Sequence, residues 1–309
     1  MIRKFFSFIF TLIVLAVIVG IPCRWMLKRS YSDPEVHYYS INENVSAPES
    51  DEITHDSLRF VVLSDLCGYV FDGGNVQISQ QVANTSPDAI LICGNMIMPD
   101  AESTEAVSDL VKSLAQIAPV YYSYGKQEAA YAVNHTGEDG KDPLREVLEK
   151  AGAVVLNEEY KDVVLYGVKA MIGGMHEKAY ELLNLRGEVK RKYAGTWEFL
   201  NAYQDTDSFK VMLTNDPESF IYGDACENWK VDLVMSGHTL GGRVVLPYYG
   251  GVFGGSQGYF PEYVHGLYEI GDVVLFITSG LNAPEDIIPR FNNPPEIAVL
   301  DISGIKSDQ

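Results

Sequence analysis

Val231 to Val245 reads VDLVMSGHTLGGRVV. An apolar, β-branched start ends in Ser236-Gly237-His238, and the pair Gly241-Gly242 then lets the backbone turn tightly before the next apolar residues. The pattern predicts a strand that delivers a histidine to the edge of a sheet. Taken alone, one histidine after a strand is more often structural than a ligand. Three earlier stretches repeat the arrangement of apolar strand and short polar turn: FVVLSDLCG at 60–68, AILICGNMI at 89–97 and VYYSYGKQE at 120–128.

Working outward, helical periods fall between these strands. Asn75 is placed to cap a helix running to about Asn84. Ser103 or Thr104 starts a longer one to Ile117, with Val107, Leu110, Val111, Leu114 and Ile117 on one face. Asp142-Pro143 opens a third helix, which Gly152 ends. Further strands are expected at Ala153–Leu156, Val163–Lys169, Lys210–Leu213 and Glu296–Asp301. A hairpin of Leu267–Ile270 with Val273–Thr278 turns at Gly271-Asp272. Residues 175–205 read as helical but mixed, and YYGGVFGGSQGYFPEY at 248–263 as a long covering or plain surface loop. Strands alternating with helices imply βαβ units in a mostly parallel sheet. Such sheets bind ligands at the carboxyl ends of their strands, where these turns lie.

The chain has 309 residues, 47% of them hydrophobic, enough for a sizeable core. Its net charge of −19 is uneven: five basic residues and no acid lie in 1–29, leaving 18 basic against 42 acidic residues beyond. Such a domain repels nucleic acid and anionic surfaces, so no nucleic-acid partner is expected. Phe5 to Cys23 is an uncharged run of 19 residues, close to the ~20 that cross a bilayer as a helix. A cleaved leader is the alternative, but the flank lacks a small-x-small cleavage pattern. Arg3 and Lys4 nearly balance Arg24, Lys28 and Arg29 across the span, so charge does not set its direction. An N-terminal anchor followed by one long acidic domain favours an extracytoplasmic domain in the cell membrane. Residues 1–29 are thus read as a membrane anchor, 30–57 as a linker with one strand near Val36–Ile41, 58–303 as the domain and 304–309 as a tail. Cys23, Cys67, Cys93 and Cys226 form no CxxC pair, and buried free thiols are the expectation for the last three, with a Cys67–Cys93 bridge left open.

The turns, in this order and spacing, resemble those of the calcineurin-like metallophosphoesterases, particularly a membrane-anchored bacterial branch. Pro289-Arg290-Phe291 and Pro294-Pro295-Glu296-Ile297 look like that branch's closing segment. The resemblance implies an α/β sandwich of two mixed β-sheets flanked by helices, preceded here by the transmembrane helix. It also implies two divalent metals that activate water and clamp phosphoryl oxygens. Carried over position by position, the family's Asp-x-His keeps Asp65 but has Cys67 for histidine, and the bridging aspartate falls on Asn95. Lys126 stands at the metal-binding asparagine and Gln127 at the catalytic histidine. Asn215 takes the place of a lone histidine, and of the closing pair His238 remains beside Leu240.

Two of seven ligand positions therefore keep their residue. Asn95 and Asn215 offer neutral oxygens, Leu240 offers none, and a carboxylate bridge that would offset metal–metal repulsion is missing. Gln127 cannot shuttle a proton. The expectation is a pseudoenzyme with a binding or regulatory role, without a cofactor, whose partners are the membrane through residues 5–23 and an unknown protein or phosphorylated ligand. An active hydrolase with manganese, iron or zinc is the alternative, with Asp65, Cys67 and His238 as candidate ligands of a mononuclear site. Lys126 is expected to pair with Asp65 or a nearby acid and to stand in for the lost cations. A third reading, Lys126 as a base with a lowered pKa, is weaker because a paired lysine is the commoner outcome.

Overall fold

A computed structural model describes residues 2–42, 46–47, 57–71, 74–137, 140–165, 167–176, 193–206, 208–222, 225–282, 288–303 and 306–307. At its centre are two six-stranded sheets. The first has the order β1 (Glu35–Asn42), β12 (Glu296–Ser303), β2 (Ser57–Leu63), β3 (Ala89–Ile92), β4 (Val120–Ser123) and β5 (Ala153–Leu156). The second has the order β10 (Gly266–Ile270), β11 (Val273–Ile277), β9 (Leu233–Ser236), β8 (Phe209–Thr214), β7 (Val168–Met175) and β6 (Glu159–Leu165). Both are mixed. In the first, β12 runs parallel to β1 and antiparallel to β2, while β2 to β5 are parallel. In the second, β7, β8, β9 and β11 are parallel, with antiparallel hairpins at each edge.

The continuous apolar runs of β2 and β3 are buried on both faces, and their period of two divides them between two cores. Val61, Leu63, Ile90 and Ile92 face helices α2 (Val76–Thr85), α3 (Glu105–Leu114) and α5 (Pro143–Ala151), meeting Val82, Val111 and Leu148. Phe60, Val62 and Leu91 point the other way, against Val211, Leu213 and Met235 of the second sheet. On the outer face of that sheet, Met171, Met212 and Val234 pack on Phe199, Leu200 and Tyr203 of α6 (Ala194–Gln204). Each such fully buried aliphatic side chain stabilises the fold by roughly 1.5–3 kcal/mol relative to exposure.

Helix positions follow the reading, but of the expected caps Asp142 acts as one while Asn75 and Thr104 make no side-chain cap, and α3 ends at Leu114 rather than Ile117. Asp142 Oδ1 accepts from the Leu144 and Arg145 amides at the start of α5, and Gly152 ends it with φ 106°. Asn75 precedes α2 but makes no side-chain cap; its Oδ1 instead accepts from the Phe71 amide at 3.3 Å.

The strand expected near Val36–Ile41 within 30–57 is β1, whose backbone is registered along its whole length against β12. Residues 43–45 and 48–56 lie outside the described residues. Three other local readings need correction. The run Val163–Lys169 is divided between β6 and β7, which pair Leu165 with Val168 across a tight turn. Lys126-Gln127-Glu128 opens helix α4 (Lys126–His135) rather than forming a turn alone. Within 175–205, Met175 ends β7 and only Ala194–Gln204 is a described helix; 177–192 lie outside the described residues. Of the tail, Lys306–Ser307 pairs with Ser46–Ala47, and the rest is likewise outside.

Helix α1 (Ile2–Arg29) is long and apolar enough to cross a membrane by length and composition, and its apolar stretch is not buried by the domain. Its end is tied to the domain. Arg29 Nη2 lies 2.6 Å from Glu35 Oε2, Asn293 N donates to Ser30 Oγ at 3.0 Å, and Arg290 N donates to Tyr31 Oη at 3.0 Å.

Candidate functional site: an amide-filled cleft at the strand ends

The carboxyl ends of β2, β3, β4, β8 and β9 meet, and Asp65, just past β2, is the centre of the junction. Its side chain is buried and its oxygens are surrounded by donors. Oδ1 accepts from Asn95 Nδ2 and from Asn215 Nδ2, each at 3.1 Å. Oδ2 accepts from Ser64 Oγ at 2.8 Å and from the His238 backbone amide at 2.9 Å. Asn95 Nδ2 also donates to Asn215 Oδ1 at 2.7 Å, and Asn215 Nδ2 to Ser64 Oγ at 3.1 Å. Every polar group in this knot is thereby matched, as a buried network requires.

Backbone shape makes the junction possible. Asp65, Cys67, Asn95, His238 and Leu240 are five of the eleven non-glycine residues with positive φ among those described, at 52–69°. Left-handed conformations of this kind cost of order 1–3 kcal/mol each, and they persist only where surrounding contacts hold them. At Gly94, with φ 75°, a Cβ would strike the Gly125 backbone. At Gly237 it would strike Ser64 Oγ and Asp65 Oδ2. Both glycines are thus needed for the turns to approach one another.

Beneath the knot sits Glu128, fully buried. Its carboxylate accepts from the amides of Asn95 (2.8 Å), Met96 (2.7 Å) and Gly125 (2.9 Å) and from Tyr122 Oη (2.8 Å). Burial raises its pKa and these hydrogen bonds oppose the rise. Glu128 is therefore a strut that joins the second and third turns. It is not an uncompensated charge in the cleft.

Lys126 lies at the rim, its side chain 52% exposed, with Nζ 2.6 Å from Oδ2 of the buried Asp216. Of the two expected partners, the nearby acid is the one it takes. Burial pushes the Asp216 carboxyl up, but the His238 ring and Lys126 together bring it below the usual aspartate range. The Gln127 amide donates to Asn95 Oδ1 at 3.2 Å. Cys67 N donates to the Asn95 carbonyl at 2.9 Å, and burial, aided by Asp65 and Glu128, raises the Cys67 thiol well above its ordinary pKa. Leu240 is buried on the turn after His238, where its carbonyl accepts from Asn293 Nδ2 at 2.7 Å. All four cysteines are free, which leaves Cys67 and Cys93 unbridged.

Arg290 of the closing segment does not reach the knot. Fully buried, it donates to the carbonyls of Ser279, Gly280, Asn282, Asn293 and Pro294 at 2.9–3.3 Å, clamping the loop after β11 to the loop before β12. Burial lowers its pKa to about 10. Leu281 N and Asn282 N on that loop donate to the carbonyls of Ser64 and Asp65 at 2.9 Å, so the clamp supports Asp65 from behind.

Chemically, Asp65 is the one carboxylate among the converging residues Asp65, Asn95, Asn215 and His238. A two-metal phosphoesterase centre needs several anionic or imidazole donors with free lone pairs, including a bridging carboxylate. Asp65 here has two hydrogen bonds on each oxygen.

No protein-family model matches the sequence. Curated relatives do. An uncharacterized metallophosphoesterase of Bacillus subtilis, YkuE, is 27% identical over 259 residues, covering 82% of this chain and 76% of the relative. The phosphodiesterase YaeI of Escherichia coli is 26% identical over 218 residues, covering 70% of each. Among solved structures, the phosphopantetheinyl hydrolase PptH of Mycobacterium tuberculosis aligns with 72% of this chain and 89% of its own at 13% identity and a TM-score of 0.46. Along most of its length the chain is similar in sequence to bacterial metallophosphoesterases, in line with the resemblance read from the strand-end turns.

Proposed function

We propose that the chain is a membrane-anchored protein of calcineurin-like phosphoesterase fold whose cleft no longer carries the two-metal reaction and serves binding or regulation. The observation that supports this is the saturation of Asp65. Asn95 and Asn215, at positions where the resemblance places metal ligands, turn amide donors onto the one remaining carboxylate. The set does not fit two dications: four positive charges would face Asp65 alone, since Asp216 is already neutralised by Lys126 at 2.6 Å.

The relatives' names favour a second reading, an active phosphoester hydrolase with one manganese, iron or zinc ion. Its ligands would be Asp65, Cys67 and His238. The two hydrogen bonds on each Asp65 oxygen count against it, because they occupy the lone pairs that an ion would need. Gln127 also leaves it without a proton donor for the leaving group.

In this reading α1 holds the domain at the cell membrane on the extracytoplasmic side, and the cleft's mouth takes a protein or a phosphorylated ligand. Hydrolysis of bis-p-nitrophenyl phosphate by the full chain in detergent, with millimolar manganese, tests the proposal. The expected rate equals that of buffer and of Asp65→Asn. Turnover that a chelator and Asp65→Asn both abolish refutes the proposal and establishes the hydrolase.

A further inference from the structure

A second cluster of ligand-type side chains lies apart from the knot, where the chain leaves α1. Glu296 opens β12 and is fully buried. Its Oε2 is fixed by Thr278 Oγ1 and the Ser279 amide, each at 2.7 Å. Three groups converge on Oε1: His37 Nδ1 at 3.0 Å, His265 Nε2 at 2.9 Å and Tyr39 Oη at 2.6 Å. Tyr39 Oη is also 3.0 Å from His265 Nε2. The ring nitrogens and the carboxylate oxygen all lie within 4.8 Å of one another.

We propose that His37 Nδ1, His265 Nε2 and Glu296 Oε1 form a mononuclear site for Zn²⁺ or a similar late first-row dication, independent of the cleft.

Four observations support it. Ligand atoms around a tetrahedral ion with bonds of about 2.0–2.1 Å are separated by roughly 3.3 Å, so the nitrogen–oxygen spacings of 2.9 and 3.0 Å need only a small expansion. Two imidazoles and one carboxylate, with a further position for water, are the donor set of open zinc sites. On the far side of the His37 ring, Nε2 lies 3.6 Å from Glu35 Oε2, an ion-pair spacing, and Glu35 is itself anchored by Arg29. Nδ1 is the ring nitrogen turned to Glu296, which places it for a metal. Finally, the two histidine side chains are 39% and 37% exposed, so an ion has a path in, while the carboxylate is pre-formed and dry.

One carboxylate and one dication leave +1 at a partly exposed rim, where solvent and counter-ions screen it; the Arg29–Glu35 pair beside His37 adds no net charge. Tyr39, whose hydroxyl donates to Glu296 Oε1 at 2.6 Å, would be a neighbour of the ion. The consequence is local: β1, β12 and His265, which precedes β10, would be cross-linked through the ion, while Glu296 Oε2 keeps its hold on the 278–279 segment after β11. That segment runs directly into the loop that supports Asp65.

The test uses the full chain in detergent, stripped of metal and titrated with Zn²⁺ alone against a chromogenic chelator. One equivalent is expected to bind, with affinity falling at least ~100-fold in the His37→Gln/His265→Gln double variant. Glu35→Gln, which leaves all three ligands in place, should weaken binding by roughly 3–10-fold, because Arg29 would be left unpaired near the ion. Asp65→Asn should leave it unchanged. Substituted Co²⁺ should give the visible absorption of a four-coordinate nitrogen–oxygen site, lost in the double variant. Unfolding curves of the metal-free proteins show whether the variants fold, and Glu35→Gln keeps the test sharp if the double variant does not. Absence of stoichiometric zinc in the wild type, or binding that ignores Glu35→Gln and the histidine variants, overturns the proposal. So does loss of binding in Asp65→Asn, which would place the ion in the cleft.

Discussion

Asn95→Asp restores the carboxylate that the family resemblance places between two metals, and it tests how the knot is held together. In the structure Asn95 Nδ2 donates to Asp65 Oδ1 at 3.1 Å and to Asn215 Oδ1 at 2.7 Å. Losing two buried hydrogen bonds costs about 1 kcal/mol each. The new carboxylate would sit about 3–4 Å from Asp65, a repulsion of roughly 4 kcal/mol at an effective dielectric of 20. Proton uptake limits this charge term, because holding a carboxyl of unfolded pKa ~3.9 neutral at pH 7 costs about 4 kcal/mol. A destabilisation of about 4–6 kcal/mol at pH 7 is therefore expected, measured by denaturant unfolding in detergent. The sign with pH follows from linkage. A carboxyl with a raised folded-state pKa binds its proton more tightly when folded, so the charge deficit is absent below about pH 4 and grows as pH rises. Manganese should restore part of the loss, since a dication that binds only the folded state stabilises it. An Asn95→Asp protein as stable as wild type at pH 7 without metal would refute the hydrogen-bonded knot.

Glu128→Ala should cost about 3–5 kcal/mol in the same unfolding assay, because three backbone amides and Tyr122 Oη would lose their acceptor in a dry interior. Lys126→Ala should cost about 1 kcal/mol at neutral pH, discounted because Lys126 is half exposed. Asp216 has a lowered folded pKa, so this contribution is present above the ordinary aspartate value and lost as pH falls through the folded one; the difference between wild type and variant should vanish in acid. Residues 30–309, which keep the Ser30 and Tyr31 contacts, should be soluble and folded without α1; aggregation that detergent cures would count against it.

The strands of the core were legible because their signal is local. Phe60–Leu63, Ala89–Ile92, Val120–Ser123 and Leu233–Met235 are continuous apolar runs ended by turn residues, and burial on two faces demands that pattern. Strand β1 was harder to read, since EVHYYSIN is half polar and its place is set by β12, some 260 residues away. Helix α4 was missed because KQEAAYAVNH has a weak apolar face and no capping side chain; Gly125 leads it, and Glu128 closes the cap through its own carboxylate. At the site, the residues facing Asp65 followed from the position of each turn. Their hydrogen-bond roles did not. Whether Lys126 reaches Asp65 or Asp216 depends on how β8 meets the start of α4, and the convergence of His37 with His265 and Glu296 depends on β1 lying beside β12. No spacing along the chain encodes either.

The most direct measurement of the central claim is an anomalous-scattering map from crystals of the protein soaked in manganese, because it locates the ion rather than counting it. The saturated Asp65 predicts no manganese peak between Asp65 and His238. A peak there, bonded to Asp65 with the Asn95 or Asn215 amides turned to present oxygen, would contradict the account and restore a metal-dependent phosphoesterase centre.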